Sequence, residues 1–169
     1  YTSYVPSTQI LPKTTWKDIE RNLAAYTRQT TLLTPELRAT ADEVTAGLKD
    51  PMKKARALYD HINKVVTKDD GSSIAIRVLL EKSGNRTFLF KALLDAAGVP
   101  SHWAFLRRDE DLERKTNWDY PSSSFFRAPH LLLQPAGKEP LYVSLQYRDL
   151  PFGFLPEFYG TGKAFILSP

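Results

Sequence analysis

The spacing of apolar residues changes character once along this chain, at Gly98-Val99-Pro100, and that single change confines the fold to the α+β class. Before it, apolar residues recur every three or four positions behind helix-starting signals. After it, they fall in short runs separated by turn residues.

Three segments of the first half carry their own start signal. Thr15 with Asp18 three residues on predicts a capped helix with Trp16, Ile19, Leu23 and Tyr26 on one face. Thr34-Pro35-Glu36 starts a second, striped by Leu37, Ala41, Val44 and Leu48, and Asp50-Pro51 a third, striped by Ala55, Leu58, Tyr59, Ile62, Val65 and Val66. A turn at Asp69-Asp70-Gly71 precedes a short helix from Ile74 to Glu81. The stretch from Ser83 to Pro100, SGNRTFLFKALLDAAGVP, predicts a largely buried helix. Phe88, Leu89, Ala92, Leu93 and Ala96 form its broad apolar face, Gly98 its left-handed terminator, and Pro100 the block to continuation.

Strands are predicted at His102 to Arg107, His130 to Gln134, Leu141 to Gln146 and Lys163 to Leu167, the middle two flanking a turn from Pro135 to Glu139 as a hairpin. The segment from Asp109 to Ser124 reads as a long polar loop, a functional flap or an insertion. Residues 1–13, with Pro6 and Pro12, read as a linker from a preceding domain, and residues 14–169 as one domain. The chain starts at Tyr1 rather than Met, which suggests excision from a longer precursor.

Composition matters most through what it lacks. With no cysteine among 169 residues, disulfides, thiolate metal sites and cysteine nucleophiles are all excluded. No apolar run nears the roughly 18 residues of a membrane span. The net charge of +4 points weakly to acidic partners, but the densest charge run, Arg107 to Lys115, carries both signs and reads as solvated rather than nucleic-acid binding. The three histidines, His61, His102 and His130, lack ligand spacing, and no cofactor or metal is implied.

The order of these segments resembles the transglutaminase-like (papain-related) superfamily. The residues that carry it are Asp50-Pro51 opening a helix, the Gly84 turn, the buried helix ending Ala96-Ala97-Gly98-Val99-Pro100, the strand begun by His130, and Pro151-Phe152-Gly153 followed by Leu155-Pro156. With Trp16-Lys17-Asp18-Ile19 included, it spans nearly the whole chain and is closest to a bacterial branch in which this domain follows a β-rich one. The resemblance implies a helical half packed on an antiparallel sheet, and an extracytoplasmic, periplasmic or envelope setting.

It also implies a triad of cysteine at the start of the buried helix, histidine on one strand and aspartate on its neighbour. The helix N-terminus favours the thiolate, the imidazole moves the proton, and the carboxylate fixes the imidazole. Here the three positions hold Arg86, His130 and Ser144. Arginine reverses the charge that the helix start prefers, and serine cannot support an imidazolium as a carboxylate does. The resemblance therefore implies a catalytically degenerate domain, a protein-binding or structural module rather than an enzyme. Two other readings stand beside it, a hydrolase with rewired chemistry using His130 and a polyanion-binding module.

Candidate binding residues follow. Asn85 and Arg86 sit at the helix start, where a guanidinium beside open N–H groups would take a carboxylate or other anion; the plainer and commoner alternative is an ion pair with a nearby acid or a side chain turned to solvent. Trp103, Trp118 and Tyr120 border the cleft that the resemblance implies. Core packing competes for Trp103 and Phe125, whereas Trp118 and Tyr120 lie in the polar loop. His130 reads as a structural histidine hydrogen-bonded to a neighbour such as Ser144 in preference to a residual general base, since no nucleophile is in reach.

Overall fold

In a computed structural model, the described residues are 14–106, 121, 128–134, 137, 139–159 and 164–167. Residues 1–13, read above as a linker, most of the segment from Asp109 to Ser124 with Trp118 and Tyr120, and Phe125 and Phe126 lie outside them.

The start signals act as their chemistry requires. Helix α1 (Trp16–Thr30) opens with a reciprocal capping box between Thr15 and Asp18. At α2 (Pro35–Val44) Thr34 accepts from the Leu37 amide, and at α3 (Pro51–Val65) the Asp50 carboxylate accepts from the Met52 and Lys53 amides at 2.8 and 2.9 Å. Each cap satisfies donors that a first turn leaves open. Two stripes differ from their sequence pattern. On α1, Tyr26 is largely exposed, edge-on to Phe88, while Thr27 and Thr30 are buried. Their hydroxyls return bonds to the helix's own carbonyls, at Leu23 and Tyr26, so a hydroxyl enters the interior already satisfied. Helix α2 ends at Val44, ahead of Leu48, and Thr45 beyond it is buried by the same device, donating to Ala41 O.

Helices α4 (Ala75–Glu81) and α5 (Arg86–Ala96) complete the helical half. Nearly the whole length of α5 is buried, and it packs against α2, α3, α4 and two strands. Its end is a Schellman closure: Gly98 at φ +67° lets Val99 N–H donate to Leu94 O and Gly98 N–H to Asp95 O.

The second half forms one antiparallel sheet in the order β3-β2-β1-β4, from β1 (Ser101–Leu106), β2 (Ala128–Leu133), β3 (Leu141–Val143) and β4 (Ala164–Ile166). Helices followed by an antiparallel sheet make this an α+β fold. Strand alternation divides the two faces. Trp103, Phe105, Leu131, Leu133 and Val143 enter the core shared with the helices. Leu106 packs instead with Tyr159, from a single 3-10 turn (Glu157–Tyr159), in a smaller cluster.

The third strand is shorter than its pattern, ending at Val143 rather than Gln146. Its register pairs Leu131 with Val143, so two steps further it would set Pro129 opposite Leu145. Proline has no N–H for the ladder, and the pairing stops before reaching it.

Candidate functional site

The start of α5 is held against the end of α3 by backbone. Thr67 N–H donates to Lys82 O, Gly84 N–H to Lys68 O, and Asn85 N–H to Ser72 O, at 2.9 to 3.0 Å. Gly84 makes this approach possible. Its φ is +119°, and a side chain there would run into the Ser72 carbonyl oxygen and press on Val78. The stitched segments carry Asp69 alongside the first residue of α5, which is Arg86.

Arg86 is only 2% exposed, an unusual state for a lone arginine. Its Nε donates to Asp69 Oδ1 at 3.0 Å and its Nη1 to Asn63 Oδ1 at 2.8 Å. Asn63 lies one turn beyond Tyr59 on α3, so one face of that helix supplies both the acceptor and the buried phenol beside it. The Nη2 nitrogen is buried and has no hydrogen-bond partner among the described residues. Burial draws the guanidinium's pKa down; the Asp69 charge opposes this and the nearby Arg148 adds to it. Arg148 is itself tied down, donating to Val66 O at 2.9 Å. Asn85 caps the helix by accepting from the Thr87 amide, using one of the donors that a first turn leaves open.

Tyr59 closes the floor. Its hydroxyl donates to Leu150 O at 2.6 Å and approaches Ser144 O at 3.4 Å, and its ring meets Phe90 and Phe152 edge-on. Burial raises its pKa above 10.0, so it stays a neutral donor.

A cavity of about 290 Å³ opens between this helix start and the sheet. Asp69, Asn85, Arg86 and Thr87 line one side, and Pro129, Leu145 and Gln146 the other. It lies where the β2–β3 ladder ends, so the proline that stops the pairing also leaves the gap.

The sequence-derived candidates distribute unevenly around it. Asn85 and Arg86 line the cavity; His130 and Ser144 do not. Both are fully buried, and the β2–β3 register carried one step beyond Leu131 and Val143 sets them opposite each other. By alternation they share the face of Ala104, away from Leu131 and the helical core. The His130 ring stands edge-on to Tyr159 at 4.6 Å, and Tyr159 donates its hydroxyl to Gln146 Oε1 at 2.9 Å. Ser144 Oγ accepts from the Gln146 amide at 3.4 Å. Gln146 thus links the two groups, with its backbone by Ser144, its side chain on Tyr159, and a place in the cavity wall.

Trp103 is a core residue, tilted against Phe88 with ring centroids 4.9 Å apart. It borders a different cavity, about 410 Å³, between the end of α1 and β1. Sequence reasoning missed Asn63, Asp69, Gln146 and Arg148. Asp69 was visible only as part of a turn and Asn63 only as a polar residue next to the Ile62 of an apolar stripe.

No group of His, Asp and Glu suited to a metal ion occurs among the described residues, and none of their helices is long and apolar enough to cross a membrane. No protein-family model matches the chain, and no curated protein matches it. A solved structure does: a putative protease from Parabacteroides distasonis is similar over 75% of this chain, with 17% identity and a TM-score of 0.59. The similarity reaches 26% of that protein's length, so the two share a fold over about a quarter of the larger molecule.

Proposed function

We propose that this chain is a non-catalytic domain of the transglutaminase-like type, acting as a binding or structural module within a larger bacterial, envelope-associated protein. One observation carries the reading: the first residue of the buried helix, where such enzymes present a thiolate, is a buried arginine paired to Asp69 in a chain with no cysteine at all. An arginine supplies no nucleophile there, and a fixed positive charge at a helix start favours holding an anion. The likeness to a protein described as a putative protease is one of fold and accords with such a scaffold.

The β2–β3 register, carried one step past its last pair, sets His130 opposite Ser144, and the resemblance assigns these positions to the histidine and acid of the triad. Serine there brings no charge, and Arg86 stands where the thiol would. The function left to the domain is recognition of a protein partner or of neighbouring domains of its own chain.

The test is turnover. Purified protein incubated with peptide amides, casein and a glutamine–amine pair is expected to release or join nothing above buffer. A rate that disappears in a His130→Ala variant, prepared and purified in parallel, would overturn the proposal in favour of a hydrolase built on His130.

A further inference from the structure

We infer that the cavity between the end of α1 and the start of β1 is a docking surface for an extended segment of a partner protein, one that presents a large apolar side chain with a carboxylate beside it. The inference rests on the binding role proposed above and places that role away from Arg86.

The cavity measures about 410 Å³, within the range of spaces that hold a ligand or a large side chain. Its inner walls are apolar in effect. Trp103 and Leu167 lie buried at its base, and on α1 Ala24 stands beside Thr27 and Thr31, whose hydroxyls already donate to Leu23 O and Thr27 O. A hydroxyl committed within its own helix leaves little for a guest to bond, so this wall favours carbon. One aromatic or long aliphatic side chain suits the space.

The rim selects the guest further. Leu32 and Leu33, consecutive on the turn into α2, are 62% and 36% exposed, and both border the cavity. A free acid small enough to sit inside would leave most of Leu32 in water, whereas a chain segment crossing the rim covers it. Charge adds a sign. Lys91 is largely buried and neutralised by Asp95 one turn on, so that pair brings no net charge. Arg28 is exposed and forms no hydrogen bond or ion pair with a described residue, which leaves one positive charge at the rim for a carboxylate to meet. On the strand side His102, half-buried and equally uncommitted, can bond a backbone amide of the segment.

The experiment is a titration followed by NMR at the Trp103 indole N–H and at the methyl groups of Leu32, Leu33 and Leu167. The probes are acetyl-alanyl-phenylalanyl-glutamyl-alanine amide, the same peptide with serine in place of phenylalanine, the same with lysine in place of glutamate, and 3-phenylpropanoate as a free acid. Saturable shifts with the first peptide, at a lower affinity for both altered ones and for the free acid, support the surface. No saturable shift overturns it, and so does binding of an altered peptide or of the free acid as tight as that of the first peptide. Self-association of the chain that Leu32→Ser abolishes, read by sedimentation, assigns the surface to a second copy and likewise overturns the partner segment.

Two variants supply an independent arm, because both side chains are exposed and their loss leaves the core untouched. Leu32→Ser should weaken the first peptide about tenfold. Arg28→Glu should weaken it about fivefold and reverse its preference over the lysine peptide. An unchanged affinity in either variant overturns the assignment. Failure here is separable from failure of the wider reading. Cleavage of the peptide, read by mass spectrometry of the same samples, defeats the non-catalytic role and leaves the surface standing, while an intact peptide that does not bind defeats the surface alone.

Discussion

The two ends of α5 are finished in opposite ways. At its C-terminal end the backbone closes on itself: Gly98 turns left-handed, Val99 and Gly98 return their N–H groups to the last turn, and the Lys54 ammonium reaches across from α3 to Ala97 O. At its N-terminal end the helix is capped once, by Asn85, and then opens on a cavity where a buried guanidinium is incompletely paired. One end spends its polar groups on the fold. The other leaves a buried donor without a partner among the described residues.

Substitutions at the glycines that flank the helix should separate the two ends most sharply. Gly84→Ala forces a side chain into the Ser72 carbonyl and a positive φ, and is expected to lower stability by about 3 kcal/mol in urea unfolding. Gly98→Ala meets open space and bears only the left-handed strain, so about 1 kcal/mol is expected. Equal losses would erase the contrast, because they would mean that the close approach at Gly84 relaxes freely.

Asn85→Ala removes the single cap at the open end and should also lower the unfolding free energy by about 1 kcal/mol. Its sharper consequence is local: amide hydrogen exchange at Thr87 should accelerate while that at Val99 stays as it was. Acceleration at both would show the ends to be coupled.

The smallest effect expected concerns pH. Burial depresses the pKa of His61 below its ordinary 6.5, with Glu43 opposing. Since the folded state holds this proton less tightly than the unfolded one, stability is complete above 6.5 and falls as pH drops through the depressed value. His61→Gln should flatten that acidic slope, measured as the urea midpoint between pH 7 and pH 5. An unchanged slope would assign it to other groups.

The contrast between the ends also explains what the sequence could say. Capping and termination are local chemistry, so Thr15, Thr34, Asp50 and the Gly98-Val99-Pro100 stop were legible, and with them the split between helices and sheet. The open end is assembled across the chain: Asn63 and Asp69 come from 23 and 17 positions before Arg86, and Gln146 from the far side of the sheet. No periodicity records such meetings. The sequence marked Arg86 as out of place at a helix start, but it could not tell a paired, buried guanidinium from a solvated one. Thr27 and Thr30 were hidden for a related reason, since polar residue types conceal burial when their hydroxyls bond within their own helix. The truncated β3 is a similar case, because the proline that ends its pairing sits on the neighbouring strand.

The central claim is that Arg86 stands in place of a nucleophile and takes part in no reaction, and Arg86→Met tests it directly through urea unfolding and turnover measured beside the parent. Replacing a buried charge with an apolar side chain of similar volume is often neutral or stabilising, and its nearest countercharge, Asp69, is already in water. The account predicts a stability within about 1 kcal/mol of the parent or above it, and no turnover of casein or peptide amides by either protein. A parent rate that the substitution abolishes would contradict it and make Arg86 part of a working site.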